Sequence, residues 1–260
     1  MRLPESLVAS EEGAVAILRL NRPHKRNAID NDTLEGIAHF FATLPAHIGA
    51  VVLHGAGGNF CAGLDLSTLT DTSAYAGMLH SRAWHAAFQT IEFGRVPVVA
   101  VLHGATIGGG LEFASTAHIR VAEKSAFYAL PEGQRGIYVG GGASLRLSRL
   151  IGVSRMQEMM LTGRTYGAEE GMVLGFSHYV VDDNAGLARG IELAKRAASN
   201  APMTNFAILH ALPHAAEAPH ATGSLIESMA AAIAQDTPEA KARLEEFLSG
   251  RAARVRHDAG

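Results

Sequence analysis

The sequence is poor in several features that mark particular classes of protein. It has one cysteine, Cys61, in 260 residues, so an internal disulfide is excluded. No apolar run approaches the roughly 18 residues that a membrane-spanning helix needs. The 22 basic and 25 acidic side chains give a formal net charge of −3, which disfavours nucleic acid as the main partner. We therefore predict a protein that binds neither membranes nor nucleic acid.

The sequence also lacks the usual signs of export, disorder and metal binding. Its first residues, MRLPESLVASEEG, include acids and a proline where a signal peptide has an apolar core, so we expect a cytoplasmic protein. Hydrophobic residues make up 48% of the chain and charged residues 18%, which is typical of a folded domain. The 13 histidines show no metal-ligand spacing, and we predict no bound metal.

Strand-like and helical patterns alternate over the first 200 residues. Short β-branched runs bounded by turn residues predict strands at Ala14–Leu20, Ala50–His54, Pro97–His103 and Phe176–Val181. Apolar faces at helical spacing predict helices over residues 31–44 (capped by Asn31 or Asp32), 73–93, 154–163 and about 185–199. This alternation indicates an α/β domain.

No strand pattern appears from Pro202 onward. The stretch TPEAKARLEEFLSG predicts a helix with Thr237 as its cap, Pro238 at its first position and Gly250 at its end. We therefore predict a strand-and-helix domain over residues 1–200 and a helical region over residues 201–260. The helical region is small for an independent core, so we expect it to pack on the main body or on another subunit.

Three glycine-rich clusters, HGAGGNFCAG, HGATIGGGLE and GIYVGGGAS, do not match a nucleotide-binding motif. The spacing G-x-G-x-x-G fails in each because Phe60, Phe113 or Leu145 occupies the last position. G-x-x-x-x-G-K-[ST], H-E-x-x-H and G-x-S-x-G are absent as well.

Glycine also allows a ligand to approach backbone N–H groups, which are unpaired where a helix begins. The stretch GGGLEFASTAH predicts such a strand-turn-helix, and FCAGLDL is a second candidate helix start. Two N–H groups directed at one point would form an oxyanion hole. The alternative for any single cluster is tight packing alone.

Five segments together resemble the enoyl-CoA hydratase/isomerase (crotonase) family in order and spacing, strongly from Val15 to Val181 and more loosely beyond. They are NRPHKRNAI, GNFCAGLDL, GATIGGGLEFA, ALPEGQRGI and GGASLRLSRLIG. The resemblance implies an α/β fold made of a spiral of ββα units followed by a helical C-terminal region, assembled as a trimer or a dimer of trimers. It also implies an acyl-CoA thioester substrate and no cofactor beyond the coenzyme A of that substrate.

The resemblance implies a catalytic pair as well, Glu112 and Glu132, and an oxyanion hole made by the backbone N–H groups of Ala62 and Gly109. Family members that shift double bonds or hydrolyse thioesters often lack one of the two glutamates, whereas this chain keeps both. We therefore predict hydration of the 2,3 double bond of a 2-enoyl-CoA thioester. The alternatives are an enoyl-CoA isomerase, an aromatic hydratase-lyase, an acyl-CoA hydrolase, and a catalytically silent assembly or RNA-binding homologue.

The remaining site predictions each have a structural alternative. The substrate-binding set is Ala62, Gly63, Leu64, Asp65, Gly108 and Gly109, although Asp65 is equally suited to supporting its own loop. Arg22, Lys25 and Arg26 are candidates for the phosphates of coenzyme A or for a solvated surface cluster. Trp84 and Tyr138, with His80, indicate a bulky or aromatic acyl pocket or simple packing. Cys61 is predicted to be a small packed residue rather than a nucleophile.

Overall fold

The computed structural model describes residues 3–68 and 73–251. The chain separates into two compact units, Met1–Ala198 and Ser199–Gly260. Residues 252–260 of the predicted helical region lie outside the described residues. No helix of the described part is both long enough and apolar enough to cross a membrane.

The first unit is built on a six-stranded sheet with the strand order β1-β2-β3-β4-β6-β9. β1 pairs with β2 in antiparallel fashion, and every later pair is parallel. Its inner strands are almost continuously apolar, as expected for a sheet covered on both faces. The strands are β1 (Leu7–Glu12), β2 (Val15–Leu20), β3 (Ala50–Gly55), β4 (Val98–Leu102), β6 (Ile119–Glu123) and β9 (Tyr179–Val181).

A second sheet of three short strands, in the order β5-β7-β8, accompanies the first. These strands are β5 (Ala105–Ile107), β7 (Phe127–Ala129) and β8 (Tyr166–Gly167). β4 of the large sheet is followed by β5 of the small sheet and then by a helix, and β6 and β7 repeat this order. The repetition produces the spiral of ββα units that the resemblance implied.

The described helices of this unit pack on the two sheets and on one another. They are α1 (Asn31–Ala42), α2 (Ala74–Glu92), α3 (Gly109–Ala114), α4 (Ala143–Ile151), α5 (Val153–Thr162), α6 (Ala168–Leu174) and α7 (Gly186–Ala198). Leu193 and Ala194 of α7 pack on a valine-rich face of the sheet. The opposite face belongs to the main core, which contains residues of α1, α2, α3 and α4.

The predicted elements of this unit are present, with two local corrections, whereas β1, β5, β6, β7, β8, α4 and α6 were not predicted. The cap of α1 is Asp30, whose carboxylate accepts the Thr33 N–H at 2.9 Å, and not Asn31 or Asp32. The stretch FCAGLDL does not begin an α-helix, because its residues form isolated β-bridges and then a short 3-10 turn at Leu66–Thr68. β1 in particular shows no alternation, since only Leu7 of its six residues is buried.

The second unit is helical throughout its described residues. It contains α8 (Pro202–Phe206), a π-helical turn (Ala207–Ala211), α9 (Leu212–Glu217), α10 (His220–Gln235) and α11 (Pro238–Leu248). Thr237 caps α11 as predicted, with its hydroxyl accepting the Ala240 N–H. Of its described residues only Ala201, Asn205, Leu209 and Gly223 are buried, whereas large apolar side chains such as Phe247 and Leu248 are 67% and 75% exposed. This unit therefore leaves much of its apolar surface uncovered.

Candidate active site

A cavity of about 310 Å³ in the first unit brings both predicted glutamates together. Its walls come from Leu64, from α2, from the start of α3, and from Glu132 with residues 137–141 that follow it. Among the predicted site residues it is lined by Leu64, Trp84, Gly109, Glu112, Glu132 and Tyr138. Residues distant in the sequence thus share one small cavity.

Glu112 lies on the first turn of α3 and is only 4% exposed. The chain turns sharply from β5 into this helix at Gly108, where φ is 53°, a value that side-chain-bearing residues rarely adopt. The Glu112 Oε1 atom accepts the N–H groups of Gly141 and Ala143, at 2.8 and 2.9 Å. Two backbone donors from the start of α4 therefore hold this carboxyl in one orientation.

Glu132 faces the same cavity in a different environment. Its Oε1 atom lies against Gly108, and its Oε2 atom is buried and has no hydrogen-bond partner among the described residues. Burial raises the pKa of the Glu132 carboxyl from 4.5 to about 7, and the charge of Glu112 adds to the shift. Near neutral pH this carboxyl therefore exists in both its protonated and its ionised form.

The structure contradicts one of the two N–H donors predicted for the oxyanion hole. The Ala62 N–H donates to the Arg26 carbonyl at 2.9 Å and is not directed at the cavity, so the assignment of Ala62 as a donor is wrong. The Gly63 carbonyl and the Asp65 N–H both bond to Ile29, which turns the intervening Leu64 N–H to the opposite side.

Leu64 and Gly109 form the backbone pair that the cavity presents. A Cβ atom placed on Gly109 would lie 3.1 Å from the Leu64 nitrogen, so the two residues are in direct contact. Gly109 is the first residue of α3, where an N–H has no acceptor within the helix. Gly63, with φ at 97°, provides the turn between the engaged Ala62 and the cavity-facing Leu64.

Asn27 supports this loop and was not singled out from the sequence. Its backbone is left-handed, with φ at 56°, and its side chain is buried. The Asn27 Nδ2 group donates to the carbonyls of Ala56 and Asn59 at 2.9 and 2.7 Å. Cys61 packs beside it, donating its thiol to the Asn27 carbonyl, and burial raises the thiol pKa to about 12. Cys61 is thus a packed residue, as predicted.

The basic residues of the first loop divide into two kinds. Arg22 donates to the Asp65 carboxylate at 2.9 Å and to the Ala28 carbonyl at 2.6 Å, and it also pairs with Asp30. It therefore ties this loop together, which disfavours the prediction that it binds phosphate. Lys25 and Arg26 are exposed, although the Lys25 ammonium lies 3.9 Å from Asp65.

Asp65 supports its own loop, the structural alternative given for it. Its Oδ1 atom accepts the hydroxyl and the N–H of Ser67, while its Oδ2 atom receives the Arg22 guanidinium. The hydrogen bond from the Ser67 hydroxyl is the main reason that the pKa of Asp65 falls to about 2, and Arg22 adds to the shift. Asp65 is not among the cavity-lining residues.

The aromatic residues predicted for an acyl pocket are both at the cavity. Trp84 is buried, and its six-membered ring lies against Gly109 and Gly141. It meets Phe88 edge-to-face at a centroid distance of 5.3 Å, so it belongs to the core as well as to the cavity wall. Tyr138 is 71% exposed, and its hydroxyl accepts a hydrogen bond from Ser144. His80 completes this side.

Comparison with known proteins shows the family to which this chain belongs. The family model for enoyl-CoA hydratase/isomerase matches residues 10–255. The chain belongs to the enoyl-CoA hydratase/isomerase family. Its relative from Clostridium acetobutylicum, a short-chain-enoyl-CoA hydratase, is 31% identical over 76% of this chain and 77% of its own.

Solved structures confirm the crotonase-type fold. An enoyl-CoA hydratase candidate from Rhodopseudomonas palustris shares 53% identity at a TM-score of 0.92, covering 96% of this chain and 97% of its own. An enoyl-CoA hydratase from Bacillus anthracis shares 28% identity at a TM-score of 0.89, covering 96% and 98%. Over the described residues of this family member, no cluster of three or more potential metal ligands occurs.

The environment of Glu132 predicts a pH-dependent effect on stability. Well below pH 4.5 the carboxyl is protonated in both the folded and the unfolded chain, but as pH rises from there towards 7 the unfolded chain ionises first and folding loses free energy. Glu132→Gln removes this loss, so at pH 8 we expect the variant to be about 1–3 kcal/mol more stable than the native protein. Urea unfolding at pH 5 and pH 8 measures the difference.

Glu158→Gln is the control for this measurement. Hydrogen bonds from Tyr166 and Arg164 lower the pKa of the half-buried Glu158 carboxyl, so its replacement should give no stabilisation at pH 8. If Glu132→Gln altered stability equally at both pH values, the raised pKa of Glu132 would be wrong.

Proposed function

We propose that the chain is an acyl-CoA hydratase that adds water across the 2,3 double bond of a 2-enoyl-CoA thioester. The observation that carries this proposal is the pair of buried carboxyls, Glu112 and Glu132, in one cavity beside the Leu64 and Gly109 N–H groups. Relatives named as enoyl-CoA hydratases support it.

In this proposal the thioester carbonyl accepts hydrogen bonds from the Leu64 and Gly109 N–H groups. When water attacks C3, the electrons of the double bond move toward C2 and the carbonyl oxygen, and the two N–H groups stabilise the resulting enolate. Because Glu112 Oε1 is already occupied by two backbone donors, its Oε2 atom is the one that takes the proton from water.

Glu132 supplies the other proton. With a pKa near 7 and no partner on Oε2, its protonated form is accessible at neutral pH, and it delivers that proton to C2. The two carboxyls thus divide the acid and base work because one is held by backbone donors and the other is left without them.

Isomerase, hydrolase and hydratase-lyase activities would use the same N–H pair, but the presence of both carboxyls favours hydration. It also disfavours a catalytically silent assembly or RNA-binding role.

Trp84 and Tyr138 favour a bulky acyl group, so we propose testing a cinnamoyl thioester beside crotonyl-CoA. Lys25 and Arg26 are the exposed bases that we propose for the coenzyme A phosphates. The absence of a further cofactor and the cytoplasmic location stay predictions from the sequence.

Both carboxyls are expected to be essential. We expect Glu112→Gln and Glu132→Gln each to lower kcat about 10²–10⁴-fold, since each removes a proton-transfer group. In the native enzyme kcat/KM should fall as pH rises through about 7, because Glu132 then loses the proton it must donate. The measurement is the loss of ultraviolet absorbance of the conjugated thioester in crotonyl-CoA and cinnamoyl-CoA.

Glu123→Gln is a matched control, because Glu123 is equally buried and accepts the Gly186 N–H away from the cavity. It should keep native kcat. Near-normal hydration by Glu112→Gln, with activity lost in Glu132→Gln, would refute the two-carboxyl mechanism and favour a single-base isomerase.

The N–H pair is tested by alanine at two neighbouring glycines. At Gly109 a Cβ would lie 2.9 Å from Trp84 Cζ3 and 3.1 Å from the Leu64 nitrogen, so it crowds the thioester oxygen. We expect Gly109→Ala to lower kcat about 10²–10³-fold per folded molecule. At Gly110 a Cβ would lie 2.3 Å from the Cys61 carbonyl oxygen, so Gly110→Ala should mainly reduce the amount of folded protein.

Activity normalised to the folded fraction separates the two variants. Crotonate, the free acid, should be a poor substrate of the native enzyme because a carboxylate resists enolate formation. A folded Gly109→Ala enzyme with native turnover of crotonyl-CoA would rule out this oxyanion hole.

We also propose a homo-oligomer, a trimer or a dimer of trimers. The exposed apolar side chains of α10 and α11 support it, since the described residues of Ser199–Gly260 bury little of that surface. Light scattering should give about three or six times the 27.4 kDa chain mass, and Phe247→Ser with Leu248→Ser should lower it. The monomer mass at working concentration, or a stable active truncation near residue 200, would contradict the proposal.

A further inference from the structure

A buried arginine of α4, Arg146, connects the elements that hold Glu112. It is 7% exposed, and its guanidinium makes three polar contacts in different directions. The Nε atom donates to the Ser115 hydroxyl at 3.0 Å, Nη2 donates to the Gly141 carbonyl, and Nη1 pairs with Glu92 at 3.1 Å. The planar guanidinium fixes the angles between these contacts, which a lysine ammonium cannot do.

Two of these contacts lead directly to the proposed base. Ser115 immediately follows the helix of Glu112 as its C-cap, and its hydroxyl donates to the Glu112 backbone carbonyl at 2.6 Å. Gly141 donates its N–H to the Glu112 carboxyl, while its carbonyl receives Arg146. One guanidinium therefore holds both the backbone that carries Glu112 and the turn that orients its carboxyl.

The charge of Arg146 is balanced locally. Glu92 of α2 pairs with it, and the Phe88 ring lies 5.7 Å from the guanidinium carbon. The guanidinium also packs against the turn at Gly142, where a Cβ would lie 2.7 Å from Nη1. A neutralised and enclosed cation contributes mainly through geometry, because its field is offset by the adjacent carboxylate.

We propose that Arg146 is a positioning residue for the water-activating carboxyl of Glu112, acting through Ser115 and Gly141. This inference rests on the proposed hydratase chemistry. Without the Arg146 guanidinium the Gly141 carbonyl loses its hydrogen-bond donor, so the turn at Gly141 is free to rotate. The Glu112 carboxyl, which accepts the Gly141 N–H, then loses its fixed direction. Among the described residues Arg146 makes its hydrogen bonds to Ser115, Glu92 and Gly141, and none to Glu132, Leu64 or Gly109. Replacing Arg146 should therefore leave Glu132 and the Leu64–Gly109 pair in place.

The test compares two reactions of one cavity in Arg146→Lys. Hydration of crotonyl-CoA needs Glu112, whereas exchange of a C2 proton of butyryl-CoA with deuterated water needs only Glu132 and the N–H pair. We expect hydration kcat to fall about 10–100-fold, as for a misplaced catalytic group, with KM and C2 exchange little changed. In Glu112→Gln, adding Arg146→Lys should cause little further loss, because both act on one step.

Arg120→Lys is the matched control. Arg120 is also buried, at 4% exposure, and donates to the carbonyls of Phe176 and Ala117 at 2.7 and 2.6 Å, away from Glu112. It should lower thermal stability while leaving the ratio of hydration to exchange at its native value. If Arg146→Lys does not fold, Glu92→Gln weakens the same guanidinium anchor and should give the same selective loss in milder form.

The outcomes separate the two proposals. Hydration and exchange falling together in Arg146→Lys, or native hydration in that variant, would overturn the positioning role and leave the hydratase assignment intact. A native protein that exchanges the C2 proton of butyryl-CoA but hydrates no enoyl-CoA would overturn the proposed function itself.

Discussion

The close approach of two backbone segments, residues 60–64 and 105–110, is the constraint on which the site depends. Cys61 forms an isolated β-bridge with Thr106 of β5. Gly63 and Gly110 allow close backbone contacts between the two segments that a side chain would prevent. A Cβ on Gly63 would lie 2.7 Å from the Ile107 carbonyl oxygen. The contact brings the Leu64 and Gly109 N–H groups together without any side-chain ligand, so their spacing is set by the main chain of the fold.

The same segment connects the backbone pair to the two carboxyls. Gly108 turns the chain into α3, which carries Glu112, and it also lies against the Glu132 carboxyl. The two glutamates differ in their donors rather than in their burial, since both are at most 6% exposed. Two backbone N–H groups donate to the Glu112 carboxyl. The Glu132 carboxyl keeps one oxygen without a partner among the described residues, and its pKa is raised to about 7. In the proposed mechanism this difference allows one cavity to hold both an acid and a base.

Buried and half-buried polar side chains that do not line the cavity hold its backbone in place. Asn27 holds the loop before Leu64 through two carbonyls, and the Arg22–Asp65 pair closes that loop from the other side. Arg146 does the equivalent for Glu112. Each satisfies main-chain groups that are otherwise unpaired, and this fixes a catalytic geometry more firmly than apolar packing alone.

The sequence by itself determined the alternation of strands and helices and the cap at Thr237, because these depend on local patterns. The motifs shared with the family, read in order, singled out the two glutamates that line one cavity. The sequence did not determine that Asp30 caps α1, nor did it reveal β1, whose single buried residue leaves no periodicity.

Only the tertiary structure decided which N–H groups face the cavity. Ala62 and Leu64 are two residues apart, yet the turn at Gly63 directs the first to the Arg26 carbonyl and the second toward Gly109. The commitment of Arg22 to Asp65, the raised pKa of Glu132 and the reach of Arg146 from α4 to α3 likewise depend on segments far apart in the chain. Backbone direction and burial arise from such long-range contacts, which residue spacing alone does not record.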